Sequence, residues 1–169
     1  MTRHFAVVGS GSIGIGWAIV FARAGNTVKV YDLEQSRLDI FTQGVNERLQ
    51  VLQEEGLLNE GADIVCSRIS TSLDLAESLE GAEYIQECAP EQLEIKKALF
   101  ATLEALASNS AIIASSSSAL KISSFTSDLS TRTRCLVVHP GNPPYLLPVV
   151  EVVPASFTSG DTVARAQEI

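Results

Sequence analysis

The chain has 169 residues, of which 46% are hydrophobic and 19% charged, and its formal net charge is −8 at pH 7. This length and composition suit one folded domain and exclude a disordered chain. The acidic balance excludes a general affinity for nucleic acid or anionic membrane surfaces, and no apolar run approaches the length of a membrane span.

Along the chain, short apolar runs alternate with longer segments of helical spacing. The apolar runs predict strands at residues 5–8, 27–31, 64–69, 84–87, 111–114, 135–138 and 149–153. Helical spacing predicts helices at residues 13–24, 35–55 and 91–107, and Ser159 or Asp161 begins a last short helix. This alternation predicts an α/β fold of the Rossmann-like, doubly wound class, with a mostly parallel sheet covered by helices on both faces.

The predicted helix at residues 91–107 places four leucines on roughly one face, Leu93, Leu99, Leu103 and Leu106. By this spacing alone, Lys96 is a solvated residue on another face. The predicted strand that follows runs into four serines at residues 115–118, which are typical of turn and helix-cap chemistry.

The first predicted strand runs into a glycine-rich segment, FAVVGSGSIGIGWA. Gly9, Gly11 and Gly14 have G-x-G-x-x-G spacing between a strand and a helix, and the next strand ends in Asp32. In this context Gly9 permits a tight turn, Gly11 lets the backbone approach a pyrophosphate, and Gly14 allows close helix–strand packing. Asp32 would bind ribose hydroxyls and repel a 2′-phosphate, so the pattern predicts NAD rather than NADP. The alternative is a glycine turn that serves packing only.

His139 and Glu151 are the candidates for catalytic proton transfer. Of the two histidines, His4 precedes the first strand, whereas His139 ends a strand, where a parallel sheet presents its ligand crevice. Glu151 lies among valines, a setting in which an unpaired carboxylate is costly. Beside His139 it would fix the imidazole tautomer and stabilise the imidazolium. The alternatives are a structural histidine in a proline-rich turn and an edge-strand glutamate that faces water.

Four segments together carry a family resemblance: GSGSIGIGWA, QECAPEQLEIKKALF, SSSSALKI and HPGNPPYLLPVVEVVP. They resemble the N-terminal domain of the L-3-hydroxyacyl-CoA dehydrogenase family over essentially the whole chain. Within the family, the branch that holds L-gulonate 3-dehydrogenase (λ-crystallin) is the most similar, and L-carnitine dehydrogenases share YLLP and VEVV. The resemblance implies that residues 1–169 form one NAD-binding Rossmann domain. It also implies a following helical domain, absent here, through which the full-length protein would form a homodimer.

The resemblance further implies roles for individual residues. His139 matches the catalytic base, Glu151 its carboxylate partner, and Ser118 a serine that contacts the substrate oxygen. Pro140 and Gly141 follow His139 where family members have more hydrophobic residues. The implied cofactor site comprises Gly9, Gly11, Ser12, Ile13, Gly14 and Asp32, with Asn142 beside the nicotinamide and Glu87 and Lys96 near its ribose.

The implied reaction is hydride transfer between NAD and the secondary alcohol of a 3-hydroxy acid or 3-hydroxyacyl-CoA, with an L-gulonate-like substrate favoured. L-Carnitine and 3-hydroxybutyryl-CoA are alternative substrates. A different alternative is a non-catalytic NAD-binding or structural protein, as the lens-crystallin relatives suggest. Without the second domain we expect the chain to bind NAD but to show weak or absent turnover.

Two remaining expectations concern location and metals. The N-terminus lacks the apolar core of a signal peptide, which predicts a cytoplasmic protein. Cys66, Cys88 and Cys135 are scattered and lack metal-ligand spacing, so we predict reduced, buried thiols, no disulfide framework and no metal site.

Overall fold

A computed structural model describes residues 2–169, and these contain a seven-stranded sheet. The strands are β1 (His4–Val8), β2 (Thr27–Tyr31), β3 (Ile69–Ser72), β4 (Tyr84–Glu87), β5 (Ile112–Ser115), β6 (Cys135–Pro140) and β7 (Val150–Pro154). Their order across the sheet is β3-β2-β1-β4-β5-β6-β7. Neighbouring strands are parallel except for β6 and β7, so the predicted Rossmann-like class is confirmed.

Helices cover both faces of this sheet. In residues 2–169 they are α1 (Ser12–Arg23), α2 (Gln35–Glu54), α3 (Ala62–Cys66), α4 (Leu75–Leu79), α5 (Leu93–Leu106), α6 (Ser123–Thr126) and α7 (Gly160–Gln167), with a 3₁₀ turn at Ser130–Arg134. One core cluster joins residues of α1, α2 and α7 to one face of the sheet, and a second joins α5 and α6 to the other. Alternate residues of the strands divide between the two clusters, as the period of a strand requires.

The strand order places the ligand crevice. β1 lies between β2 and β4, so the chain winds outward in opposite directions from β1. In sheets of this kind, ligands bind outside the carboxyl ends of the strands at this switch point. The turn between β1 and α1 and the segment after β4 both lie there.

The strand predicted at residues 64–69 is wrong, whereas the other predicted strands and helices are found within about two residues of their predicted ends. Helix α3 occupies Ala62–Cys66, and β3 begins only at Ile69. Val65 is the one buried residue of α3, while Ile64 is 47% exposed. The strand itself reads ISTS and lies at the sheet edge, so it carries no alternating apolar pattern that could predict it.

The face predicted for α5 is right for three of its four leucines: Leu103 is buried, and Leu93 and Leu99 pack against the same core cluster. It is wrong for Leu106, which is 43% exposed. The other buried residues of α5 are Lys96 and Phe100, so the buried face is rotated toward Lys96. Lys96 is 1% exposed and is therefore not a solvated lysine.

The last helix begins as predicted. The Ser159 hydroxyl accepts a hydrogen bond from the Thr162 backbone N–H at 3.1 Å and caps α7. Within the described chain, no helix combines the length and the apolar character needed to cross a membrane. Cys66, Cys88 and Cys135 are free; Cys135 is buried, whereas Cys66 and Cys88 are partly buried, so the expectation of three buried thiols is met in full only for Cys135.

Candidate cofactor and catalytic site

The turn between β1 and α1 has two positions at which a side chain does not fit. Gly9 has a φ of +108°, and a Cβ there would lie 2.7 Å from the Cys88 carbonyl oxygen. A Cβ on Gly14 would lie 2.0 Å from the Gly9 carbonyl oxygen. Gly11 has no heavy atom within 4 Å of its Cβ position, so this part of the turn faces open space. The geometry therefore provides a tight turn, close helix packing and room for a pyrophosphate at the first N–H groups of α1.

Asp32 follows β2 and closes one side of this turn. Its Oδ2 accepts hydrogen bonds from the Ser10 backbone N–H at 2.9 Å and the Ser10 hydroxyl at 2.6 Å, and its Oδ1 accepts one from the Leu33 N–H at 2.8 Å. Burial alone would raise the pKa of Asp32, but these hydrogen bonds and the nearby Arg37 guanidinium hold the pKa below its ordinary value. Asp32 is therefore a carboxylate at neutral pH, which is the form that accepts hydrogen bonds from ribose hydroxyls. Together with the open space at Gly11, it fits NAD.

His139 and Glu151 face each other across the ladder between β6 and β7. They are register partners, and His139 Nδ1 lies 3.1 Å from Glu151 Oε2. The histidine side chain is 35% exposed and the glutamate side chain 70% exposed. The expectation that Glu151 occupies an apolar, costly setting is wrong, because β7 is the sheet edge and Val150 and Val153 are themselves exposed. Glu151 is thus both a water-facing edge residue and the partner of His139.

A groove of about 440 Å³ runs past this pair. Ser118, His139 and Glu151 all line it, and Ser118 is exposed. The structure therefore brings the three predicted catalytic residues to one cavity. Asn142 is exposed in the loop after β6 and is outside the lining of this groove.

Glu87 and Lys96 form a buried ion pair behind residues 115–118, the four consecutive serines that we call the serine segment. The Lys96 Nζ lies 2.8 and 2.9 Å from the two Glu87 oxygens, and the side chains are 1% and 0% exposed. Glu87 also accepts hydrogen bonds from the Ala89 N–H and the Ser115 hydroxyl. Protein encloses both charged groups, so neither side chain is open to a ligand in this structure. Their position near the nicotinamide ribose stays a prediction.

Sequence reasoning missed Glu91, which holds the serine segment from outside. Its Oε1 accepts hydrogen bonds from the Ser117 hydroxyl and from the backbone N–H groups of Ala119 and Leu120, at 2.5, 3.0 and 3.1 Å. Burial would raise the pKa of Glu91, but these bonds and the Lys96 ammonium outweigh it and lower the pKa to about 2. The feature of the sequence that could have indicated Glu91 is its place in the loop after β4, where an acidic side chain reaches the carboxyl edge of the sheet.

The fold and this site together define a Rossmann-like dinucleotide-binding domain. The chain belongs to the family described as 3-hydroxyacyl-CoA dehydrogenase, NAD binding domain, whose sequence profile matches residues 4–169. The predicted family and the predicted cofactor, NAD, are confirmed by this match.

Individual relatives agree with this assignment. The chain is 44% identical over 162 residues to the λ-crystallin homolog of Bos taurus, covering 95% of this chain and 50% of that protein. It is 38% identical over 167 residues to an L-carnitine dehydrogenase of a Pseudomonas species, covering 99% of this chain and 51% of that protein. The crystal structure of 3-hydroxybutyryl-CoA dehydrogenase from Escherichia coli K12 superimposes with a TM-score of 0.94 at 30% identity, over 99% of this chain and 36% of that one. The chain thus spans about half the length of the curated relatives it matches. The limits of the domain, the homodimer and the cytoplasmic location stay predictions.

Proposed function

We propose that the chain is the cofactor domain of a dehydrogenase that oxidises the secondary alcohol of a small 3-hydroxy acid, with His139 as the general base. The observation that carries the proposal is the 3.1 Å contact between His139 and Glu151 in the groove onto which Ser118 opens. An L-gulonate-like acid is the favoured substrate, since the λ-crystallin homologs share more identity with the chain than the L-carnitine dehydrogenases do. L-Carnitine and 3-hydroxyacyl-CoA thioesters are the alternative substrates.

In the proposed mechanism, each of these residues has a role that its position supports. Glu151 accepts a hydrogen bond from the Nδ1–H of His139, so Nε2 is left free to take the hydroxyl proton of the alcohol during oxidation and return it during reduction. Glu151 also offsets the positive charge of the imidazolium that forms. Ser118 would donate a hydrogen bond to the substrate oxygen and orient it toward His139. NAD, when bound, supplies the hydride acceptor.

The exposure of the pair suggests how turnover depends on the rest of the protein. The Glu151 side chain is 70% exposed, so water screens its interaction with His139 in this chain. Charges act more strongly when water is excluded from the site. We therefore propose that efficient turnover requires a second domain, corresponding to the part of the relatives that this chain does not span, while the chain by itself binds NAD.

A non-catalytic NAD-binding protein is the second candidate, and the observation that favours it is the similarity to proteins named λ-crystallin. Both candidates need the turn at Gly9–Gly14 and Asp32. Only the dehydrogenase needs His139, Glu151 and Ser118 in one groove, and this difference makes the candidates separable.

Turnover of the full-length protein tests the proposal. With NAD and L-gulonate, L-carnitine or a 3-hydroxyacyl-CoA, His139→Ala should lower kcat by about 10²-fold or more. His4→Ala is the matched control, because His4 contacts Thr27 at the start of β2 and should leave kcat unchanged. In parallel, NADH titration of the 169-residue chain can follow Trp17, its only tryptophan. Turnover that survives His139→Ala would remove His139 from the mechanism, and saturable NADH binding without turnover of any substrate would favour the second candidate.

A further inference from the structure

A buried polar network lies beneath the crevice, on the face of the sheet that α1 covers. Gln86 of β4 is 0% exposed, and its Oε1 accepts a hydrogen bond from the Tyr84 hydroxyl at 2.6 Å. Its Nε2 donates to the Ser116 hydroxyl at 2.8 Å and to the Val138 carbonyl at 3.2 Å. The Trp17 indole N–H donates to the same Ser116 oxygen at 3.1 Å. The network therefore joins β4, the serine segment, β6 and α1.

The hydrogen bonds of this network have one consistent direction. The Val138 carbonyl can only accept, so the amide nitrogen of Gln86 must face it. Burial raises the pKa of Tyr84 well above its ordinary value, so the phenol stays protonated and its O–H donates the hydrogen bond to Gln86. Ser116 already accepts two hydrogen bonds, and its own proton has a partner in Cys88 Sγ at 3.3 Å. Burial also raises the pKa of Cys88 to about 12, so the thiol stays neutral. A buried network that is satisfied in only one way holds its members rigidly.

The Gln86 side chain supplies a hydrogen bond at the point where the ladder between β5 and β6 has ended. β5 pairs with β6 from Ile113 and Cys135 to Ser115 and Val137, and the ladder ends there. The carbonyl of the next residue, Val138, meets the Gln86 amide instead of a strand neighbour. The strand end that carries His139 is thus tied to β4 across the end of β5.

Both groups that Gln86 holds are next to site residues. Val138 precedes His139, and Ser116 lies two positions before Ser118. Gln86 itself is outside the lining of the groove, because its side chain lies on the face of Tyr84 and Val138 and not on that of His139. We propose that Gln86 is a positioning residue that sets the spacing between His139 and Ser118. This inference rests on the proposed function, which gives those two residues their roles.

The decisive variant is Gln86→Met in the full-length protein, because methionine keeps the volume and removes the amide. We expect kcat to fall about tenfold through misplacement of His139, while the Kd for NADH changes by less than about twofold. Tyr84→Phe removes one hydrogen bond of Gln86 and leaves both bonds of Nε2, so we expect kcat to fall less than in Gln86→Met. Ser78→Ala is the control: it removes a buried hydrogen bond to the Asp74 carbonyl, away from the site, and measures the effect of a general loss of stability. Ser78→Ala should keep kcat within about twofold of the wild type.

A readout without turnover is available in the 169-residue chain. Its two histidines give two imidazole Cε1–H signals in NMR. Gln86→Met should shift the His139 signal at constant pH and leave the His4 signal in place. An unmoved His139 signal would contradict the inference.

Turnover measurements can contradict the positioning role of Gln86 independently of the NMR signals. A kcat within about twofold of the wild type in Gln86→Met, or an NADH Kd that rises as much as kcat falls, would overturn the positioning role. If Gln86→Met does not fold, Ser116→Ala, a smaller change at the other end of the same bond, is judged by the same limits. Turnover that requires His139 but tolerates the loss of Gln86 would overturn this inference alone. Turnover that does not require His139 would overturn the proposed function.

Discussion

The ammonium group of Lys96 lies 2.8 and 2.9 Å from the two oxygens of Glu87, and this ion pair is enclosed by protein. The same ammonium lies 3.5 Å from an oxygen of Glu91. Glu87 holds the Ser115 hydroxyl and Glu91 holds the Ser117 hydroxyl. Lys96 therefore balances two carboxylates that hold Ser115 and Ser117, which explains why a lysine occupies the buried face of α5.

Removal of this charge should destabilise the fold strongly. Lys96→Met would leave Glu87 as an uncompensated buried carboxylate, which costs about 3–5 kcal/mol. Lys97→Met is the matched control: Lys97 pairs with Glu94 at 3.1 Å, but the side chains are 47% and 81% exposed. The control should lose less than about 1 kcal/mol. Urea unfolding of both variants measures the difference, and equal losses would show that the buried pair contributes no more than a surface pair.

Lys96 also shows why part of the site could not be predicted from the sequence. The spacing of apolar residues locates most of the buried face of a helix, but it cannot show that a lysine belongs to that face. The partner that makes this burial possible, Glu87, lies on a different element, so only the family resemblance named Glu87 and Lys96 together, and nothing in the sequence predicted their burial. For the same reason, the hydrogen bonds that the backbone N–H groups of Ala119 and Leu120 donate to Glu91 were not predicted.

The glycine turn and the pair of His139 and Glu151 were predictable for different reasons. The backbone geometry at Gly9 and Gly14 is a local requirement, so the spacing of glycines carries it. His139 and Glu151 were predicted to meet from their chemistry and from a family resemblance, and the ladder between β6 and β7 makes them register partners. That Glu151 faces water was left open as an alternative, because exposure depends on where β7 lies in the sheet.

Two alanine substitutions in the glycine turn should separate folding from cofactor binding. In Gly14→Ala the new methyl would lie 2.0 Å from the Gly9 carbonyl oxygen, a backbone atom, so we expect a loss of about 2–3 kcal/mol in the free energy of unfolding. In Gly11→Ala the methyl meets no protein atom within 4 Å, so the fold should be kept. The methyl would instead occupy the space of a pyrophosphate and raise the Kd for NADH about tenfold. Thermal unfolding and Trp17 fluorescence titration measure the two effects, and unchanged NADH binding by Gly11→Ala would contradict the assigned position of the pyrophosphate.

Glu91 should contribute to stability in a pH-dependent way. Its pKa is lowered from 4.5 to about 2 in the folded protein, so its contribution is present above about pH 4.5 and is lost as the pH falls toward 2. Glu91→Gln has no carboxylate to protonate at this position. The unfolding free energy of the variant should therefore fall less than that of the wild type between about pH 6 and about pH 3. Glu94→Gln is the control, since Glu94 is an exposed carboxylate at the start of α5. Parallel curves for wild type and Glu91→Gln, measured by urea unfolding at each pH, would show that the hydrogen bonds to Ser117, Ala119 and Leu120 do not depend on the charge of Glu91.

Asp32 should decide between the two nicotinamide dinucleotides. Its ionised carboxylate lies beside the turn, where it would accept hydrogen bonds from the adenosine ribose and repel a phosphate on the 2′ position. Asp32→Asn keeps the size of the side chain and removes the charge, so the preference for NADH over NADPH should fall by about tenfold, equivalent to about 1.4 kcal/mol. Glu34→Gln is the matched control, because Glu34 is a 61% exposed carboxylate two residues further along that also pairs with Arg37, at 3.5 Å. Titration of Trp17 fluorescence with each dinucleotide gives the ratio of Kd values. A ratio that changes equally in both variants would mean that the general negative charge of this region, and not Asp32 itself, selects the cofactor.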